Sequence, residues 1–286
     1  MNRDGSKTGP EATGDRSAWS WAALMPHPPV MVPEVGQGRE QEAARTLAGA
    51  RSLTDRLQTL PDNGRPDLLL ILSPHQPYVP GALFLNNAPL LKGGLGRFGA
   101  PGVKFSLPTS PMVEDLAAAL DKAGLPVVSG PVPDLTPDHG STVPLYFLAK
   151  ALGPLPPVIV GSPIGLSPAQ ALALGRTLAG LKPGGGRWAL LASGDLSHRL
   201  LPEAPAGFDP EGPRLDKDII SALAQGDPER LLRDWPPSRL SPAGECGFRS
   251  VLALLGLVGG PLEVLSYEGP FGVGYGNALW INGHSK

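Results

Sequence analysis

The chain has 286 residues, 41% of them apolar, enough to bury the core of one large domain or two small ones. Its 24 basic and 26 acidic residues give a formal net charge of −2 without long blocks of like charge, which argues against nucleic acid or an anionic membrane as a partner. The single cysteine, Cys246, excludes an internal disulfide framework and fits a reducing, cytoplasmic setting.

Residues 1–18, MNRDGSKTGPEATGDRSA, are polar and lack an apolar segment; they read as a flexible tail ahead of a single domain over 19–286. No run reaches the ~18 uncharged apolar residues of a membrane span. Glycine and proline make up about a quarter of the chain, but they lie between apolar runs, as turns do. WSWAALM (19–25) predicts a buried strand ended by Pro26, residues 38–60 an amphipathic helix ending before Pro61, and DLLLILS (67–73) a second buried strand. Strand, helix and strand in that order imply a parallel pair with a right-handed crossover. Residues 81–109, rich in glycine and aromatics, predict hairpins at the sheet edge. Next come a helix over 110–124 capped by Ser110, the strand LPVVSG, a helix over VPLYFLAKAL and the strand PPVIVG (156–161). A helix over 167–181 has Ser167 as cap and proline at its first position, and GGGRWALLASG returns to strand. In SPAGECGFRSVLALLG a helix begins at Glu245, and residues 263–281 predict two antiparallel strands. This alternation defines an α/β fold: a mixed, mostly parallel central sheet with helices on both faces.

Three of the predicted strands run into a histidine: WAALMPHPP into His27, LLLILSPHQP into His75 and WALLASGDLSH into His198. The carboxyl ends of parallel strands line the ligand crevice of such sheets, so these residues are expected to converge. His139, in TPDHGSTVPL, stands at a loop-to-helix junction facing the same edge, whereas His284, in NGHSK, reads as a solvated tail residue. Prolines beside His27 and His75 give the stiff backbone that suits a metal ligand; a turn histidine bonded to a carbonyl is the plain alternative for each. Two imidazoles and one carboxylate leave open positions at a divalent iron, and Glu34, Asp138, Asp195 and Glu245 lie on loops near these segments. For Asp195, a residue capping the local turn is the expected role. Ser193 and Ser197 stand beside His198 without the GxSxG elbow of a serine hydrolase, and no glycine-rich phosphate loop occurs at a strand-to-helix turn.

Taken together, PHPPVMVPEVG, the SPH after a strand, DHGSTVPL, SGDLSH and the closing GPFGVGY resemble the catalytic subunit of class III extradiol ring-cleaving dioxygenases, the LigB family. The motifs fall in order from Trp19 to Ile281, and the nearest branch resembles that of the Memo-like proteins. The resemblance implies a non-haem Fe(II) site with His27 and His75 as two ligands and Glu245 as the third. It also implies His198 as the acid/base histidine, and His139 contacting the substrate or positioning the base. The substrates would be O2 and a small aromatic, a catechol or aminophenol, whose ring opens beside its hydroxyls. Cys246 competes with Glu245 as third ligand, since Memo-like relatives carry a cysteine before glycine at the comparable place. Adjacent helical side chains point ~100° apart, so one of the two faces the metal. A carboxylate there favours dioxygen chemistry and a thiolate favours copper or zinc; Zn, Mn and Cu are the alternatives to iron. Some family members use a separate small subunit to cover the site, and residues 81–109 are a candidate lid in this chain. Two other readings stand beside the dioxygenase: a zinc-dependent hydrolase and a Memo-like metal-binding protein without dioxygenase activity. Association into a homo-oligomer is compatible with all three.

Overall fold

A computed structural model describes residues 16–135, 138–181 and 186–283, so most of the expected tail and His284 lie outside the described residues. The strands are β1 (Trp19–Met25), β2 (Leu68–Leu72), β3 (Leu83–Asn86), β4 (Leu90–Leu95), β5 (Ala100–Pro108), β6 (Val127–Gly130), β7 (Val158–Ser162), β8 (Trp188–Ser193), β9 (Glu263–Glu268) and β10 (Tyr275–Ile281). The α-helices are α1 (Pro33–Gly36), α2 (Ala44–Gln58), α3 (Val113–Lys122), α4 (His139–Leu152), α5 (Pro168–Gly180), α6 (Glu211–Gln225), α7 (Pro228–Asp234), α8 (Pro237–Ala243) and α9 (Phe248–Val258).

Eight strands form one sheet in the order β6-β3-β7-β2-β8-β1-β10-β9. The pairs β3–β6, β2–β7, β2–β8 and β1–β8 are parallel; β3–β7, β1–β10 and β9–β10 are antiparallel. The continuous apolar runs follow from this topology, because a central parallel strand is covered on both sides. In β2 all five residues are buried: Leu68, Leu70 and Leu72 enter one core while Leu69 and Ile71 enter the other. The first core packs α3, α5, α6 and α9 on one face, through residues such as Leu120, Leu172, Ile219 and Leu254. On the opposite face α2 and α4 contribute Leu53, Leu57, Leu145 and Leu148. The expected α/β sheet with helices on both faces is present.

Several boundaries differ from the sequence reading, each for a local reason. Ser110 accepts from the Met112 N–H in a turn at 3.3 Å, so α3 starts two residues later than a Ser110 cap implies. In contrast α4 starts earlier, at His139, because Asp138 caps it by accepting from the Ser141 N–H. Ser167 and Gln170 complete a capping box at α5 as the pattern requires. Residues 81–109 are not all at an edge: β3 lies inside the main sheet between β6 and β7, and only β4 and β5 form a separate hairpin. Helices α6, α7 and α8 cover a stretch that the chain-order reading leaves unassigned. Among the described residues no helix is long and apolar enough to cross a membrane.

Candidate functional site

Strands β2, β8 and β1 are adjacent and run the same way, with Met25 opposite Ser193 and Leu72 opposite Ala192. Their ends are therefore level, and the residues just beyond them share one edge of the sheet. His27, His75 and the segment SGDLSH leave from these ends. The start of α4 is tied to the same place by Asp138, a buried carboxylate that accepts from Ser73 Oγ (2.6 Å), Gln76 Nε2 (2.7 Å), the Ser141 N–H (2.9 Å) and Ser141 Oγ (2.6 Å). Its lone pairs are thus engaged in joining β2 to α4. The result brings His139 onto His75, with ring centroids 4.1 Å apart, and to 5.3 Å from His27.

A second loop is laid antiparallel along SGDLSH. The Gly247 N–H donates to Asp195 O (2.9 Å), the His198 N–H donates to Gly244 O (3.0 Å), and Ser197 bridges Glu245. The approach needs glycine on both sides: a Cβ on Gly194 would stand 2.3 Å from Gly247 Cα. This pairing carries Cys246 Sγ to 3.7 Å from His27 Nε2. Glu245, expected as third ligand, turns the other way. Its carboxylate accepts from the Phe248 N–H at 2.5 Å, lies 3.7 Å from Arg249 Nη1, and satisfies the first turn of α9. Helix α9 begins at Phe248, so neither residue of the pair is helical, yet adjacent side chains still diverge and Cys246 is the one facing the histidines.

His27 Nε2 and His75 Nε2 are 3.1 Å apart, and together with Cys246 Sγ they form the one group of potential metal-donor atoms found among the described residues, all within 4.8 Å of one another. Ligand bonds of about 2.0–2.3 Å to one ion put donor atoms about 3–4 Å apart, so the cluster fits a single transition-metal ion. The hydrogen bonds agree with that. Ser193 Oγ–H donates to Gly140 O (2.5 Å), which can only accept, so at the 2.8 Å contact with Ser193 the proton belongs to His27 Nδ1. The lone pair of His27 then sits on Nε2, toward His75 and Cys246. His198 follows the same rule: its Nδ1 donates to Gly244 O at 2.9 Å, leaving Nε2 as the acceptor.

Burial dominates the electrostatics. It holds His27 well below its ordinary 6.5, and the neighbouring His75, His139 and His198 add to the effect. Burial also lowers His75 against the opposing pull of Asp138, and lowers His198 against hydrogen bonds to Gly244 and Leu196. The Cys246 thiol is pushed well above 9.0 by burial and by the nearby Asp195 and Glu245. Burial raises the Asp195 carboxyl to about 7 despite the hydrogen bond from His27. Neutral imidazoles and a thiol that ionises only beside a cation are the protonation states a metal replaces.

Asp195 does not cap its own turn; Oδ1 accepts from the His27 main-chain N–H at 2.8 Å, and Oδ2 lies 3.8 Å from His27 Nε2. This contact spans 168 residues, so the local pattern of SGDLSH could not reveal it. Phe98, at the tip between β4 and β5, places its ring 5.5 Å from His139, which brings the 81–109 segment to the site. Neither serine is poised as a nucleophile: Ser193 and Ser197 are both fully buried, and their hydroxyls donate to Gly140 O and Ala243 O. Glu34 is not part of this donor group; it accepts from Tyr146 Oη at 2.6 Å.

A sheet edge carrying clustered histidines and a sulfur donor defines a candidate metal-dependent enzyme site. The family model described as the catalytic LigB subunit of aromatic ring-opening dioxygenase matches residues 21–277, and the chain belongs to that family. It is 31% identical over 268 residues to Protein CA_C1420 of Clostridium acetobutylicum; the match covers 88% of this chain and 55% of that protein, so the chain spans about half its relative's length. The crystal structure of uncharacterized protein JW3007 from Escherichia coli K12 shares the fold, with a TM-score of 0.59 at 20% identity, covering 91% of this chain and 99% of that one.

Proposed function

We propose that this chain is a mononuclear metal-dependent ring-opening dioxygenase acting on a catechol- or aminophenol-type substrate with O2. The observation that carries the reading is the triad His27 Nε2, His75 Nε2 and Cys246 Sγ at the carboxyl edge of a LigB-family sheet. These three residues would hold the ion, with Fe(II) the first candidate. When bound, such a metal supplies Lewis acidity toward the substrate hydroxyls and a coordination position for dioxygen.

The remaining chemistry belongs to the protein. His198 keeps Nε2 unprotonated through its Nδ1 bond to Gly244 O, and burial lowers its pKa, so it is a base at neutral pH that can take a substrate hydroxyl proton and return it later. His139 stacks on His75 at the start of α4, where an aromatic ring can lie against it, and Phe98 closes the apolar side. Asp195 holds the His27 main chain, and a reducing, cytoplasmic setting would keep Cys246 available.

A second reading has its own support. A thiolate in place of a carboxylate favours copper or zinc, which fits a Memo-like metal-binding protein without ring-opening activity. The zinc hydrolase reading has the same ligands. Metal content after anaerobic purification, followed by Fe(II) loading and an oxygen electrode with a panel of catechols and aminophenols, separates them. Oxygen uptake with a coloured ring-fission product that disappears in His198→Ala is expected. Stoichiometric iron bound with no uptake across the panel would overturn the dioxygenase reading.

A further inference from the structure

Pro144 lies inside α4, buried, one turn after His139. An α-helix residue donates its N–H to the carbonyl four residues back, and proline has none, so the Gly140 carbonyl lacks its helical donor. That carbonyl is the one that accepts from Ser193 Oγ at 2.5 Å. Ser193 has a single proton, and with it committed to Gly140 the hydroxyl oxygen can only accept from His27 Nδ1 at 2.8 Å. His27 Nε2 then has no proton and points at His75 Nε2, 3.1 Å away.

We propose that Pro144 is a positioning residue: by leaving the Gly140 carbonyl open it orients the Ser193 hydroxyl, and that hydroxyl holds His27 in the tautomer whose Nε2 can bind a metal. An ordinary residue at 144 would bring an N–H to the same carbonyl. The carbonyl has two lone pairs and could still take Ser193, but it would no longer depend on that donor, so the hydroxyl could also rotate to donate to His27 Nδ1, which moves the imidazole proton to Nε2, where it blocks an ion. The chain of contacts runs from a helix on one face of the sheet, through the end of β8, to a residue beyond β1. A metal ligand's other ring nitrogen is usually fixed by such an outer partner, and loss of that partner typically costs 10–100-fold in affinity.

The metal half of this inference rests on the proposed role of His27; the tautomer half does not. The test uses the full chain, metal-free and labelled with 15N-histidine, as wild type, Pro144→Ala, Ser193→Ala and the double variant. Long-range 15N–1H spectra read the tautomer, and titration with Zn(II) against a chelator reads affinity. Wild type should show His27 protonated on Nδ1, with Pro144→Ala giving a mixed signature and several-fold weaker Zn(II) binding. Ser193→Ala should lose 10–100-fold, and in that background Pro144→Ala should change nothing further. A purely structural role for Pro144 predicts the same loss in both backgrounds and overturns the proposal, as does a wild-type signal from protonated Nε2. If Ser193→Ala does not fold, the Pro144→Ala spectrum alone decides, because alanine is a better helix former than proline. Wild type that binds no Zn(II) refutes the metal reading while the spectra still judge the tautomer.

Discussion

His27 and His75 bring their Nε2 atoms together from opposite surroundings. His27 is 1% exposed; Asp195 holds its main-chain N–H, Ser193 holds Nδ1, and Cys246 stands beside Nε2. His75 is exposed, its N–H makes a 3.3 Å bond to Ser73 Oγ, and its ring leans on His139, with Phe98 beyond. The buried wall cannot shift without leaving polar groups unpaired, whereas the open wall can move at little cost. On the proposed reading, the His27 wall would set the position of an ion, and the open side past His75, His139 and Phe98 would be the way in for substrate.

The largest difference between the walls appears on truncation. His27→Ala should abolish tight Zn(II) binding and also destabilise the fold by about 1–3 kcal/mol, because Ser193 loses a buried partner and a cavity opens beside Asp195 and Cys246, although the main-chain N–H bond to Asp195 remains. His75→Ala should weaken metal binding comparably while leaving Tm nearly unchanged; chelator competition and thermal denaturation read the two effects side by side. Equal Tm losses would erase the distinction. Next in size is Gly247→Ala, where the added Cβ stands 2.8 Å from both Asp195 O and Gly194 Cα. It should cost about 1–3 kcal/mol and lower metal affinity by displacing Cys246, with the His27–His75 pair kept.

The smallest effect per step is on pH. Burial holds His27 well below 6.5, and partial desolvation of its ring lowers His75 as well, so neither competes strongly for protons near pH 7, while the Cys246 thiol is raised and must release its proton to bind. Zn(II) affinity should therefore rise about tenfold per pH unit, ~1.4 kcal/mol, from pH 7 to 8.5, and fall as pH drops. Cys246→Ser should flatten that slope. A wild-type slope near zero would show that the thiol is not a ligand and return Glu245 to consideration.

Much of this was legible in the residues. WSWAALM and DLLLILS are apolar throughout because both faces of β1 and β2 are covered, and a histidine after each strand end is a local pattern that a parallel sheet turns into a cluster. The start of α4 is hidden because Pro144 reads as a helix beginning, whereas Asp138 caps the helix a turn and a half earlier. The interior place of β3 (LFLN) is equally hidden, since it adjoins the glycine-bearing β4 and β5 in one segment but pairs with different strands.

The choice between two adjacent residues is where the chain's own pattern ends. GECG offers a carboxylate and a thiol side by side, and nothing in their spacing says which one meets His27. The answer came from Gly194 and Gly247, whose missing side chains let two loops some fifty residues apart touch along their backbones, turning Cys246 inward and Glu245 onto the start of α9. Periodicity and turn residues encode elements because those are local, short-range physics. Ligand identity, the Asp195–His27 contact and the tautomer of His27 depend on close packing between segments distant in sequence, which only the folded chain sets.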